Sequence, residues 1–162
     1  MSVTAVEPWV EIPLRKFVEE ARTILGVLLH PSGQVVAQFG FARAVDVMSA
    51  CALAAAIHAS AGELGKQLDG KAFRGLHHPG RDRQLYLAEA ATPRGTFVFL
   101  TVFDQESSLG LVRLYFDEFC KSLAAAAPPA PRRVEPVLEQ RFEQELNKNL
   151  AALFGKGLGA RG

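Results

Sequence analysis

Apolar side chains fill most positions of the segment Thr96–Phe103, which reads T-F-V-F-L-T-V-F. A strand that is apolar at successive positions is covered on both faces, so this segment predicts a central strand of a sheet. The polar stretch Asp104–Ser108 ends the strand and supplies a turn. Ser107 or Ser108 can accept the free N–H groups of a helix that begins near Leu109. The pattern therefore predicts a strand, a turn and a capped helix in succession.

Helical periodicity and helix-end signals predict three helices between Pro13 and Ala126. The helix Leu109–Ala126 has one apolar face, because five apolar residues recur at steps of three and four positions: Leu109, Val112, Phe116, Phe119 and Leu123. A first helix is predicted from Pro13, a residue type suited to the first helical turn, to about Arg22. A long helix is predicted from about Ala42 to Leu68, before Gly70 stops it.

Strand-like composition recurs in five segments: Ile24–His30, Gln34–Gln38, Ala72–His78, Arg83–Ala90 and Gly95–Phe103. Turn sequences such as Pro31-Ser32-Gly33 and Thr92-Pro93-Arg94-Gly95 join these strands, and only the long helix interrupts them. Because tight turns join antiparallel neighbours, we expect an α/β domain with a five-stranded antiparallel sheet. Helices should cover both faces of the sheet, in the element order αββαβββα.

The chain is expected to divide into a domain over residues 1–126, a proline-rich linker over 127–136, an amphipathic helix over 137–154 and a glycine-rich tail over 155–162. The apolar stripe of the C-terminal helix has six large residues: Leu138, Phe142, Leu146, Leu150, Leu153 and Phe154. A helix of this length is marginal in water on its own. We therefore expect the stripe to dock, either reversibly on a partner or permanently on the domain.

Charge and composition argue against several function classes. A net charge of +1 gives no electrostatic basis for binding nucleic acid or an anionic membrane. Cys51 and Cys120 have neither metal nor redox spacing and are interpreted as small buried hydrophobic residues. The N-terminus lacks the basic region of a signal peptide, and the apolar stretch Val45–Ala61 is short and alanine-rich. These features predict a cytoplasmic protein without a membrane span.

The junction between the central strand and the last helix of the domain reads F-D-x-x-x-S-L-G-L-V-R-L. Together with the element order, it closely resembles the roadblock domain of MglB-type proteins over roughly Leu14–Leu123. These proteins are bacterial regulators of a small Ras-like GTPase of the MglA type. The resemblance implies a roadblock (longin-like) fold and a homodimer that binds one GTPase. It implies stimulation of GTP hydrolysis without a donated catalytic residue, in cell polarity or motility.

The interior of the long helix is mostly alanine, and two interpretations remain open. Alanine is a good helix former in its own right. Alternatively, its small side chains let a neighbouring chain approach closely. In both cases the larger residues are expected in the core of the domain: Val47, Met48, Leu53, Ile57 and Leu64.

The family resemblance assigns roles to the two amphipathic segments. It implies that the long helix and the following strand pair across a two-fold axis. It also implies that the C-terminal helix, with its Leu153-Phe154 pair, contacts the GTPase. The paired long helices are expected to hold the GTPase at seven positions: Ala52, Ala55, Ala56, Ala59, Ser60, Glu63 and Lys66.

The sequence contains no recognisable catalytic or metal-binding motif. Gly155-Lys156-Gly157 lacks the Ser or Thr of a phosphate-binding loop, so the chain is not itself the GTPase. His77 and His78 are neighbours on a strand and point to opposite faces, so they cannot share one metal. His58 is interpreted as a packed or interfacial imidazole. We expect no cofactor, no metal and no enzymatic activity.

Two functions compete for this sequence. The first is the GTPase-stimulating regulator, and the second is a roadblock-dimer scaffold or adaptor with no effect on nucleotide turnover. Arg81, Arg83 and Arg94 occupy positions at which an arginine finger could act, but we interpret them as solubilising residues. The extra C-terminal helix and the S-L-G-L-V-R-L junction favour the regulator.

Overall fold

The computed structural model of the chain describes residues 4–5, 7–40, 47–71, 75–130 and 137–154. It contains two compact units, Met1–Pro129 and Ala130–Gly162. The elements follow one another as β1 (Thr4–Ala5), α1 (Pro8–Glu20), β2 (Leu25–Leu29), β3 (Val35–Gly40), α2 (Val47–Asp69), β4 (Gly75–Pro79), β5 (Gln84–Thr92), β6 (Gly95–Phe103), α3 (Leu109–Ala126) and α4 (Val137–Phe154).

All neighbouring strands of the sheet are antiparallel, in the spatial order β1-β3-β2-β6-β5-β4. Leu100 of β6 pairs with Val27 of β2 on one side and with Leu87 of β5 on the other. The predicted central strand is confirmed, and so is the predicted fold class with its five strands. β1, which spans only two residues, adds a short sixth strand at one edge and was not predicted.

One face of the sheet packs against α1 and α3. Phe99 of β6 lies at the centre of this layer, with its ring centroid 4.8 Å from that of Phe17 and 4.9 Å from that of Phe119. The apolar face predicted for α3 is buried at Val112, Phe116, Phe119 and Leu123. Ser108 is the N-cap, and its hydroxyl oxygen accepts a hydrogen bond from the Leu111 N–H at 3.2 Å.

The start predicted for α1 is wrong. The helix begins at Pro8, five residues before the predicted Pro13. Proline at the first helical position loses no hydrogen bond, because the N–H groups of the first turn have no partner inside the helix. Pro13 lies inside the helix and is buried. Two prolines were therefore compatible with a helix start, and the periodicity of the apolar residues did not distinguish between them.

The other face of the sheet packs against α2, and it does so through small residues. Cys51, Ala54 and Ala55 are buried in a cluster with six large residues of the sheet: Leu25, Val27, Leu29, Leu87, Val98 and Leu100. Val47 also packs against this cluster. The expectation that the other large residues of α2 fill the core is wrong, because Met48, Leu53, Ile57 and Leu64 are 49% to 80% exposed. Small side chains bring the helix close to the sheet and leave the large ones outside.

The C-terminal unit contains α4, which has the predicted bounds Val137–Phe154. Four residues of its predicted apolar stripe are exposed: Phe142, Leu146, Leu150 and Leu153. The side chains of Leu138 and Phe154 lie outside the described residues, as does the linker segment 131–136.

Candidate functional site: the outer faces of helix α2

Three sides of α2 differ in chemistry. The first is the core side at Cys51, Ala54 and Ala55. The second, which we call the apolar stripe, comprises Leu53, Ile57, Leu64 and Leu68. At 3.6 residues per turn, these four residues fall within about 60° of arc. The third, which we call the alanine face, comprises Met48, Ala52, Ala56 and Ala59, and all four are exposed. Two exposed faces with different chemistry predict two different contacts.

The seven positions predicted to bind the GTPase are mostly exposed. Six of them are open to solvent: Ala52, Ala56, Ala59, Ser60, Glu63 and Lys66. Glu63 and Lys66 form an ion pair at 2.8 Å, and the hydrogen bond and charge of Glu63 raise the pKa of Lys66. Ala55 differs, because it is only 7% exposed and belongs to the core cluster. Its predicted exposure is therefore wrong, whereas its binding role and that of the other six stay a prediction.

The turn between β2 and β3 explains the burial of Ala55. A Cβ atom placed on Gly33 would lie 3.4 Å from the Ala52 Cα atom and 3.8 Å from the Ala55 Cβ atom. Gly33 has a φ of +93°, a conformation that glycine adopts at little cost. The turn thus packs its backbone directly on α2. Periodicity within the helix could not reveal this contact, which joins segments distant in the sequence.

The apolar stripe could have been found in the sequence. Leu53, Ile57, Leu64 and Leu68 are separated by four, seven and four positions, which is the spacing of one helical face. The large apolar residues of an amphipathic helix are expected to point towards the core. In a helix with two apolar sides, periodicity locates both sides but does not say which one meets the sheet.

Helix α2 has 23 residues and, by length and composition alone, it is the one helix in the described part of the chain that could cross a membrane. The apolar sequence segment Val45–Ala61 is shorter than this helix, and no membrane span was predicted from it. This finding is weak evidence for a membrane span, since core helices of water-soluble proteins meet the same criterion. Here Cys51, Ala54 and Ala55 of α2 are buried against the sheet.

β4 is the last strand of the sheet, on the side opposite β1. In the described part of the structure its outer edge has no partner strand. Leu76 of β4 packs against the same apolar cluster as Cys51 and Ala54 of α2. An unpaired edge with free N–H and C=O groups is a site at which another strand can add.

A polar contact joins α2 to β5. His58 Nε2 lies 3.3 Å from Glu89 Oε2, and the two side chains are 20% and 40% exposed. The three ion pairs that Lys or Arg forms between described residues each lie within a single helix. His58 is thus a partly buried imidazole packed between a helix and the sheet.

The arginine positions considered for a finger role lie at opposite ends of the sheet. Arg94 lines an open groove of about 350 Å³ together with Trp9, His30 and Gln34. Arg81 and Arg83 lie in the β4–β5 turn, which is at the other end of β6. Among the described residues, no group of three or more His, Cys, Asp or Glu side chains could hold a metal ion.

A groove of about 620 Å³ lies beside α3 and is lined by Tyr86, Arg113, Asp117 and Cys120, among others. Burial raises the pKa of the Tyr86 phenol above its ordinary value. These side chains include no imidazole that could serve as a general base for the Cys120 thiol. Among the described residues that line the groove, no thiol–imidazole pair is therefore present.

Cys120 is expected to react slowly with alkylating agents in the native protein. Burial, assisted by the charge of Asp117, raises the pKa of its thiol to about 11. At pH 8 the reactive thiolate is then roughly 100-fold rarer than for an unperturbed cysteine. Iodoacetamide labelling followed by peptide mass spectrometry should show Cys120 labelled about 100-fold faster in urea than in buffer at pH 8. Equal rates would contradict the burial of this thiol.

Comparison with known proteins identifies the fold. No protein-family model matches the chain, and neither does any curated protein. Among solved structures, MglB from Myxococcus xanthus is 25% identical, covers 74% of this chain and 95% of its own, and gives a TM-score of 0.67. The gliding protein MglB from Thermus thermophilus is 26% identical, with 74% of this chain and 88% of its own covered, at a TM-score of 0.65.

A third match is the roadblock/LC7 domain from Streptomyces avermitilis, which is 19% identical. It covers 70% of this chain and 93% of its own at a TM-score of 0.62, and it supports the fold alone. The antiparallel sheet with its two helical layers is the part of the molecule on which the similarity to the two MglB structures rests. The chain has the roadblock fold and resembles MglB.

Proposed function

We propose that the protein is a homodimeric regulator of a small Ras-like GTPase of the MglA type. In this proposal it stimulates GTP hydrolysis without supplying a catalytic residue, in bacterial cell polarity or motility. The observation that carries the proposal is the likeness to two MglB structures at 25% and 26% identity over 74% of the chain. The two unlike exposed faces of α2 support it, because a dimer and a GTPase require two separate contacts.

The apolar stripe is the proposed dimer contact. Its four large side chains are about half to two-thirds exposed, and full burial of each would contribute about 1.5–3 kcal/mol. A second copy can cover the stripe with its own stripe, since a two-fold axis brings identical patches together. The edge of β4 would at the same time find a partner strand in the second copy.

The alanine face is the proposed GTPase contact, on both protomers. It includes the exposed positions Ala52, Ala56 and Ala59 and continues towards Ser60, Glu63 and Lys66. Ala55 would act indirectly, by seating the helix against the sheet. Alanine side chains permit a close approach and offer no chemistry, so the GTPase would be activated through a shift in its own conformations. We propose one GTPase for each dimer.

Helix α4 is the proposed second contact with the GTPase. Phe142, Leu146, Leu150 and Leu153 form an exposed apolar series on a helix that follows a proline-rich segment. Such a series needs a partner surface, because an isolated amphipathic helix is marginal in water. The proposed docking residues also include Leu138 and Phe154.

The proposal is tested by measuring the affinity of the protein for an MglA-type GTPase from the same organism, loaded with GTP or with GDP. A regulator of hydrolysis is expected to bind the GTP form at least about tenfold more tightly, since a ligand shifts an equilibrium only through differential affinity. Size analysis of the complex should give two copies of this chain per GTPase. Equal affinity for both forms would oppose the proposal.

Ala59→Arg is expected to weaken GTPase binding about 100-fold and to leave the dimer folded. Ala59 is exposed in the isolated chain, so the new side chain causes no clash within the domain. At a close-packed contact it would hold the two proteins apart. Ala125→Arg introduces the same side chain at an exposed alanine of α3 and serves as the control. Unchanged GTPase affinity in Ala59→Arg would remove the alanine face from the proposed site.

A further inference from the structure

We infer that the contact between His58 and Glu89 positions the apolar stripe of α2 relative to the edge of β4. The inference rests on the proposed dimer. In that dimer, a second copy must meet the stripe and the strand edge at the same time. The two surfaces belong to different elements, so their relative placement depends on the contacts between α2 and the sheet.

The two residues connect these surfaces through their neighbours in the chain. His58 directly follows Ile57, a member of the apolar stripe. Glu89 directly follows Ala88, which pairs with Gly75 of β4. A contact of 3.3 Å between His58 Nε2 and Glu89 Oε2 therefore connects the middle of the stripe to β5, the strand that pairs with the edge strand β4.

The packed contacts of Cys51, Ala54 and Ala55 with the sheet are apolar, since these residues meet large aliphatic side chains. His58 lies one helical turn after Ala54, so the 3.3 Å contact of its Nε2 atom with Glu89 Oε2 adds a polar anchor next to the packed segment.

The ion pairs within single helices cannot serve this purpose. Glu11 pairs with Arg15 inside α1, Glu118 with Lys121 inside α3, and Glu63 with Lys66 inside α2. Each of these pairs is exposed and joins one turn of a helix to the next. The His58–Glu89 contact instead joins two different elements, α2 and β5.

The inference is tested with a double-mutant cycle on the dimer dissociation constant of the full chain. His58→Ala and Glu89→Ala are each expected to raise this constant about fivefold, the upper range for a partly shielded pair. The double variant should raise it no more than either single variant. His58→Gln keeps a side-chain N–H donor and should restore the constant to within about twofold of the original.

The matched control is Glu118→Ala, which breaks an intrahelical pair on α3 at 3.1 Å and should leave the constant unchanged. To distinguish the positioning role from a role in fold stability, His58→Ala is repeated in a chain made monomeric by Ile57→Asp. There the melting temperature should fall by no more than about 2 °C, because the loss in fold stability is small. A larger fall would indicate that the pair stabilises the fold and would overturn the positioning role.

The failures of the two proposals have different signatures. If the unaltered protein is a monomer at micromolar concentration, the proposed dimer fails and this inference fails with it. If the unaltered protein is a dimer but the effects of His58→Ala and Glu89→Ala simply multiply in the double variant, only the positioning role is contradicted.

Discussion

Ile57→Asp is expected to convert the dimer into a monomer. Ile57 lies in the middle of the apolar stripe and is 49% exposed in the isolated chain, so the domain itself should tolerate the change. In the dimer the carboxylate would be buried without a partner on both protomers, at a cost of several kcal/mol. The dissociation constant should rise more than about 1000-fold, which corresponds to about 4 kcal/mol. Sedimentation equilibrium over a range of concentrations measures this constant.

The control for Ile57→Asp is Leu114→Asp. Leu114 is 58% exposed on α3, so the substitution places the same charge at a similarly exposed apolar position on the opposite face of the sheet. It should leave the dimer intact. Equal effects of both substitutions would show that dimerisation does not use the apolar stripe. If Ile57→Asp remains fully dimeric, the assignment of the stripe is contradicted.

Gly40→Ala is expected to lower the free energy of unfolding by about 3–5 kcal/mol, at the upper end of the range for single substitutions. Gly40 ends β3 with a φ of +117°, a conformation that other residues rarely adopt. An added Cβ atom would lie only 2.9 Å from the Leu25 Cα atom and would also clash with the Ile24 carbonyl oxygen. Both are backbone atoms, one in the first residue of β2 and the other in the residue directly before it. The clash can therefore be relieved only if the sheet deforms. Urea denaturation followed by circular dichroism measures the loss.

Gly95→Ala separates conformational strain from steric clash. Gly95 has a φ of +120°, nearly that of Gly40, but an added Cβ atom would have no neighbouring heavy atom within 4 Å. This variant should lose only about 1–3 kcal/mol, the cost of the unfavourable backbone conformation. Equal losses of unfolding free energy at the two positions would mean that the close approach of β3 to β2 at Gly40 does not add to the destabilisation.

The fold could be predicted from the sequence wherever the hydrophobic pattern of a segment fits only one secondary-structure element. β6 is apolar on both sides and flanked by turn sequences, and its bounds Gly95–Phe103 agree with the prediction. The bounds of α3 also agree, because its single apolar stripe and the cap at Ser108 leave little freedom. β1 could not be predicted, since a two-residue strand has no periodicity and forms only because β3 offers an edge.

The orientation of α2 could not be predicted from its periodicity. The helix is apolar on two sides, and the prediction assigned the larger side chains to the core. In the structure Ala54 and Cys51 face the sheet, because small residues allow the helix to pack against the large aliphatic residues Leu87 and Leu100. The burial of Ala55 depends on the turn at Gly33, which is about twenty residues earlier in the chain.

The central claim is that the protein stimulates GTP hydrolysis, and it is tested most directly by single-turnover hydrolysis with an MglA-type GTPase from the same organism. The account predicts acceleration by the unaltered protein, retained in the triple variant with Arg81, Arg83 and Arg94 replaced by alanine, because no arginine finger is used. The Ile57→Asp monomer should not accelerate hydrolysis. Tight binding without acceleration would contradict the account and indicate a scaffold.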